Sequence, residues 1–365
     1  MVIAMTSTNR PIDRKPRHRL FLLALLITLL LAGVVCWPKP SPQELIRQAN
    51  LARDDETRVS LLQRALTSTH APLPEAEALL CQSLANAGQW GKVEQLLARF
   101  ECGQWSNKAL VDLAQLGVQS SQWPSVEHLV AVMAERGELA EPRLAISCSL
   151  FHVQGQQENY LNAAEQLTAL CPTQSAYWWQ LVRIYERQED DAAAIRTLES
   201  ALSQPLPHHD RMAMNHQLIE HCISVGDRDR SRHVLRELQA NGEHGPRLDV
   251  YSARILHLEG DVNQALVALR PALQELGEIP EAVRFRGILW EESGELERAV
   301  ADFRRVIELT PNDEIVHFKL AQTYRRMARI DDDETKRQLG DKHYKEYLRL
   351  HQQAMRRKNL ATPNN

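Results

Sequence analysis

Residues 287–313 read GILWEESGELERAVADFRRVIELTPND, and their pattern decides the fold. Apolar Ile288, Leu289 and Trp290 close one helix-like segment at Gly294. Ala299, Val300, Phe303, Val306 and Ile307 then recur at helical spacing until Pro311 ends the run. A glycine before such a restart suits a left-handed helix C-cap, and proline stops the second segment. The dipeptide recurs upstream as Gly226-Asp227, Gly260-Asp261 and Gly294-Glu295, each 34 residues apart. Five residues after each Gly stands a small residue (Ser231, Ala265, Ala299), and four later a large apolar one (Leu235, Leu269, Phe303). The small side chain lets two helices approach, and the larger one fills the groove on the same face.

A period of this length, built from two helices and a turn, resembles the tetratricopeptide repeat (TPR). YWWQLVRIYERQEDDAAAIRTLESAL carries Trp178, Leu181, Tyr185, Ala194, Leu198 and Ala201 in that family's packing slots. The opening stretch matches through Gly287, Ala299, Phe303 and Pro311, and HFKLAQTYRR through Leu320, Ala321 and Tyr324. Val182 and Leu218-Ile219 depart from the pattern, and Glu189-Asp190 replaces Gly-Asp in one unit. Phasing outward places units near Glu141, Ser175, Met212, Pro246, Pro280 and Glu314. SQPLPHHD, with His208 and His209, reads as a loop that lengthens one interval. Upstream, AEALLCQSLANAGQWGKVEQLLARF and ALVDLAQLGVQSSQWPSVEHLVAVM repeat the slots, with a weaker unit over 41–68. The resemblance implies an all-α, right-handed α-solenoid of about eight TPR-like helix pairs over residues 38–330. Residues 331–365 read as a charged capping helix and tail, with Leu339, Tyr344, Tyr347, Leu348 and His351 on its packing face, since the end of a stacked array needs a polar cover.

The start of the chain has a different character. Residues 1–19 carry Arg10, Arg14, Lys15, Arg17 and Arg19 against Asp13, and residues 20–37, LFLLALLITLLLAGVVCW, carry no charge. At about 1.5 Å per residue such a helix is about 27 Å long, near the hydrocarbon thickness of a bilayer. A transmembrane signal-anchor is expected there. Bulky residues stand where a signal peptidase needs small ones, and Val35 precedes Cys36 where a lipidation box has a small residue, so an uncleaved, non-lipidated anchor is the expectation. The basic flank points to a cytoplasmic N-terminus, with the solenoid outside the cytoplasm, as on the periplasmic face of a bacterial inner membrane.

With 43 Lys plus Arg against 47 Asp plus Glu, the chain lacks the basic excess of a nucleic-acid binder. The sequence contains no phosphate loop, HExxH, GxSxG or kinase signature, and no CxxC pair. The six cysteines read as thiols, with Cys81, Cys148 and Cys222 on apolar helix faces. His208, His209, Asp210, His216, His221 and Cys222 cluster in sequence, but His216 and His221 are five apart and turn away from each other on a helix. No enzyme activity, cofactor, metal or small-molecule substrate is expected.

The TPR resemblance implies partner proteins or peptides held on the inner face of the first helices. Trp179, Arg183, Arg187, Arg254, Arg284, Phe318, Lys319 and Arg325 are expected to line that groove, with His257, Phe285, Gln322 and Arg326. The set is basic and aromatic although the repeat region is net acidic, which suits acidic or carboxylate-ended peptides. The same Arg and Lys also suit a merely solvated helix face. Two functional classes stay open: a membrane-anchored interaction scaffold, and a non-catalytic accessory subunit of a cell-envelope or polysaccharide assembly or secretion complex.

Overall fold

The computed structural model describes residues 39–275 and 279–361. The basic segment 1–19 and the anchor expected at 20–37 therefore lie outside the described residues. Among those described there are eighteen α-helices, two short 3₁₀ turns and no strand. No described helix is long and apolar enough to cross a membrane. The chain divides into two compact units between Gln156 and Gln157.

The first unit holds α1 (Pro42–Leu51), α2 (Asp55–Thr67), α3 (Pro74–Asn86), α4 (Trp90–Leu97), α5 (Asn107–Gln119), α6 (Trp123–Ala134) and α7 (Ala140–Val153). The second holds α8 (Gln157–Leu170), α9 (Ser175–Arg187), α10 (Asp191–Leu202), α11 (His208–Ser224), α12 (Arg228–Ala240), α13 (Pro246–Leu258), α14 (Val262–Glu275), α15 (Pro280–Ser293), α16 (Leu296–Leu309), α17 (Glu314–Asp331) and α18 (Glu334–Ala361). Within each unit, helices joined by a tight turn pack together. Each such pair also packs on the next, as α2 does on α3 and α16 on α17.

One backbone device makes these turns. The amide of Asp227 donates to the Cys222 carbonyl at 2.9 Å, that of Asp261 to Leu256 at 3.0 Å and that of Glu295 to Trp290 at 2.9 Å. Gly226, Gly260 and Gly294 take the left-handed conformation, φ 75°, 87° and 87°. Asp227 and Asp261 then cap the next helix, accepting from the amides of Arg230 and Gln264. A single Gly-Asp dipeptide thus ends one helix and starts the next. Where Gly is absent the geometry persists: Glu189 stands at φ 57°, and the Asp190 amide reaches the Tyr185 carbonyl at 3.0 Å.

The phasing places the buried contacts well. Ser231, Ala265, Ala299, Leu269 and Phe303 are fully buried, and Leu235 nearly so. Three details differ from the sequence reading. First, α11 begins at His208, so His208 and His209 form its first turn rather than a loop; Pro207 precedes the helix and pre-sets its entry. Second, Tyr185, which the resemblance puts in a packing slot, is only half-buried, and its hydroxyl donates to Glu165 at 2.9 Å. Third, α18 is joined to α17 by the same turn, with Asp332 at φ 49° and the Asp333 amide on the Ala328 carbonyl at 3.2 Å. It is the second helix of a further pair, and its packed face runs through Gly340, His343, Tyr344, Tyr347 and Leu350. Leu339 and Leu348, expected on that face, are exposed. Gly340 governs this register: a Cβ there would lie 2.9 Å from Arg325 Cγ and 3.1 Å from the Ala321 carbonyl, so only Gly admits so close an approach.

Candidate functional site

The first helices of the second unit carry the expected groove residues, and most of their charges are already paired. Lys319 Nζ on α17 donates to Glu291 on α15 at 3.0 Å, and Thr323 Oγ1 donates to the other oxygen of Glu291 at 3.1 Å. Arg326 reaches the Glu291 carbonyl at 3.0 Å. Arg284 pairs with Asp313, which also caps α17 through the Val316 amide. Arg254 on α13 pairs with Glu220 on α11, and His257 bonds Glu292 at 2.7 Å. These contacts join one first helix to the next, so the row of cations is half of a ladder of ion pairs.

At the C-terminal end the groove residues serve the last helix. Arg325 donates to Asp341 at 2.7 Å and its guanidinium lies 4.6 Å from the centroid of the Tyr344 ring. Phe318 packs on Tyr347 with centroids 5.1 Å apart. Both side chains hold α18 in place.

Arg183 and Arg187 differ. Among the described residues no carboxylate lies within ion-pair distance of either. Arg183 Nε donates to the Trp179 carbonyl at 3.3 Å, one turn back, and Arg187 Nε to the Arg183 carbonyl at 3.2 Å. The Arg187 guanidinium sits 5.7 Å from the centroid of the Tyr160 ring. Tyr160, Ala176, Gln180, Arg183, Glu186 and Arg187 line an open cleft of about 610 Å³. Glu186 does not neutralise it, because its carboxylate turns to α11, accepting from Gln217 Nε2 at 2.6 Å and meeting His221 Nε2 at 3.2 Å. Trp179 lies beside this cleft without lining it; half-buried, it packs on the apolar core of α9–α13. Of the eight predicted residues, Arg183 and Arg187 meet in this open cavity.

The histidines separate as their spacing implies. His221 Nδ1 meets Asp191 at 2.8 Å on α10, while His216 faces Tyr251 and Glu243. The His221 contact, with a bond from Ser224, holds the Asp191 carboxyl below its ordinary range. Burial and the nearby Arg247 lower His216. Among the described residues no group of three His, Cys, Asp or Glu side chains is placed to hold a metal ion. Burial pushes the Cys102 and Cys222 thiols up to about 11, which makes them poor nucleophiles.

Fold and surface thus define a class: stacked helix pairs, closed by ion pairs along one face, with a basic cleft left open. No family model matches the chain, and no curated protein matches it. Among solved structures it is similar to the APC/C hetero-tetramer Cut9–Hcn1, at 12% identity and TM-score 0.45, over 81% of this chain and 60% of that one. It is also similar to the C-terminal part of a TPR repeat-containing protein from Cytophaga hutchinsonii, at 12% identity and TM-score 0.46, over 66% of this chain and 95% of that one. A third is MamA from Desulfovibrio magneticus RS-1, at 15% identity and TM-score 0.37, over 49% of this chain and 96% of that one.

Proposed function

We propose that the protein is a non-catalytic scaffold whose TPR-like helix pairs dock partner proteins, anchored to a membrane by residues 20–37 with the helical region on the non-cytoplasmic side. The observation that carries the docking reading is the cleft on α9, where two arginines face open space while the neighbouring cations of the same face are paired. A guanidinium without a carboxylate presents a planar fork of donors that suits a carboxylate of a partner segment. The partner chemistry this favours is an acidic or carboxylate-ended peptide, flanked by the Tyr160 ring. Support for the anchor comes from the uncharged run at 20–37 and the basic residues before it.

The test is photo-crosslinking in intact cells, with a benzophenone side chain placed at Gln180 in the cleft or at exposed Val267 on α14. The proposal expects discrete protein adducts from position 180 and none of the same species from position 267. Equal adducts from both positions, or none from position 180, would contradict it. A reporter fused after Asn365 should be active only outside the cytoplasm; a fusion active in the cytoplasm would overturn the orientation.

A further inference from the structure

A second cavity, of about 870 Å³, lies in the first unit between α2, α3 and α4. Its floor is apolar, formed by Leu66, Leu80, Leu84, Leu96 and Phe100. Into that floor projects a carboxylate. Glu77 on α3 is only 7% exposed, yet it lines the cavity. One of its oxygens, Oε2, accepts from the indole Nε1 of Trp105 at 3.2 Å, and Trp105 is itself 2% exposed. Among the described residues no other donor bonds the carboxylate. A buried carboxylate with a single neutral donor is costly unless a cation or further donors reach it. Trp105 thus engages one carboxylate oxygen, Oε2, of a side chain that lines the cleft.

The basic residues nearby do not reach it. Lys92 is exposed and its Nζ donates to Gln89 at 2.8 Å, Arg99 is exposed in the turn that follows α4, and His70 is exposed on the loop before α3. Nothing within the chain's described residues therefore completes Glu77.

We propose that this cleft is a binding site for a lysine or arginine side chain of a partner peptide, with the aliphatic stem and its apolar neighbours on the leucine and Phe100 floor and the cationic head on Glu77. Arginine fits best, because its guanidinium can bond a carboxylate while its flat face lies on an aromatic ring. The site takes a charge opposite to that favoured by the α9 cleft. It rests on the reading of the chain as a peptide-docking scaffold but on none of the residues of that cleft, so either site can fail its test without the other.

The test uses the detergent-purified full-length chain and a fluorescein-labelled peptide amide, Ser-Leu-Arg-Leu-Ser, followed by anisotropy. Counterparts carry Gln or Asp in place of Arg. The Arg peptide should bind at least tenfold more tightly than the Gln peptide, and the Asp peptide should be weakest. In Glu77→Gln, whose amide oxygen can still accept from Trp105, the Arg preference should vanish while the far-ultraviolet spectrum and melting temperature hold. Equal binding of all three peptides would show an apolar occupant and overturn the proposal. A preference for the Asp peptide would assign the cleft to its exposed cations and overturn it equally. Should Glu77→Gln fail to fold, the comparison of the three peptides on the parent chain decides alone.

Discussion

Gly287 on α15 lies directly against the ring of Phe303 on α16: a Cβ on Gly287 would stand 2.7 Å from Phe303 Cε1 and 2.8 Å from Cδ1. The 16-residue separation joins the two helices of one pair. Phe303 is fully buried, so its ring has little room to withdraw. Gly287→Ala should therefore lower stability by about 1–3 kcal/mol through overpacking, although alanine is the better helix former. Thermal unfolding decides it: an unchanged or raised melting temperature would mean that these helices do not meet at this point.

The turns make an opposite prediction. Glu189 and Asp332, like Ser121, hold left-handed backbone where Gly88, Gly155, Gly226, Gly242, Gly260 and Gly294 stand at other turns. Left-handed geometry costs a non-glycine residue about 1–2 kcal/mol, partly offset by the entropy glycine loses on folding. Glu189→Gly should thus stabilise the chain by about 0.5–1 kcal/mol, measured by denaturant midpoint at constant slope. A loss of stability would mean the Tyr185–Asp190 turn is not formed as described.

Glu291 gathers Lys319, Thr323 and, through its carbonyl, Arg326. Its side chain is 12% exposed and that of Lys319 is 27% exposed, so the pair is more than a solvated contact. A double-mutant cycle of Glu291→Gln and Lys319→Met should show a coupling of about 1 kcal/mol, which 0.5 M salt only partly screens. Zero coupling would make the ladder on the first-helix face ornamental to stability.

The packing of α18 on α17 should weaken in acid. His343 Nδ1 lies 3.1 Å from His317 Nδ1, and His317 Nε2 is 3.1 Å from the Pro311 carbonyl. That carbonyl can only accept, so His317 carries its proton on Nε2 and receives the bond from His343. Burial, then His317, Lys342 and Arg304, lower the His343 pKa from 6.5 to about 4, with Glu346 opposing. The unfolded chain therefore binds the proton first. Stability should be full above about pH 6.5 and fall as the pH drops toward 4, by roughly 1–3 kcal/mol. His343→Phe, which keeps a ring against Tyr324, should lose this component of the pH dependence; an identical profile would exclude His343 as its source.

How far the sequence discloses this structure depends on which residues carry the signal. The Gly-Asp turns and the Ala299–Phe303 spacing are local, so the helix pairs could be phased from them. The pairing of α18 with α17 was hidden because Asp332-Asp333 replaces Gly-Asp and α17 runs to eighteen residues. The pairing of the groove's cations is hidden for a different reason. The repeat phasing puts Arg254, Arg284 and Lys319 at equivalent first-helix positions, but only geometry shows that Glu220, Asp313 and Glu291 answer them. Glu77 left no trace either, since a glutamate in the first turn of a helix reads as ordinary dipole compensation until Trp105, 28 residues on, is seen to cover it.

Docking through the open cleft of α9 depends on its two arginines. Arg183→Glu and Arg187→Glu are combined in the full-length chain, and crosslinking from position 180 is repeated beside a melting curve. Both side chains are exposed and without a carboxylate partner, so the fold should hold with a melting temperature within a few degrees of the parent. The adducts seen from position 180 should disappear. If the double variant is equally stable and captures the same proteins in the same yield, the two arginines are only a solvated helix face, and the account of this cleft is wrong.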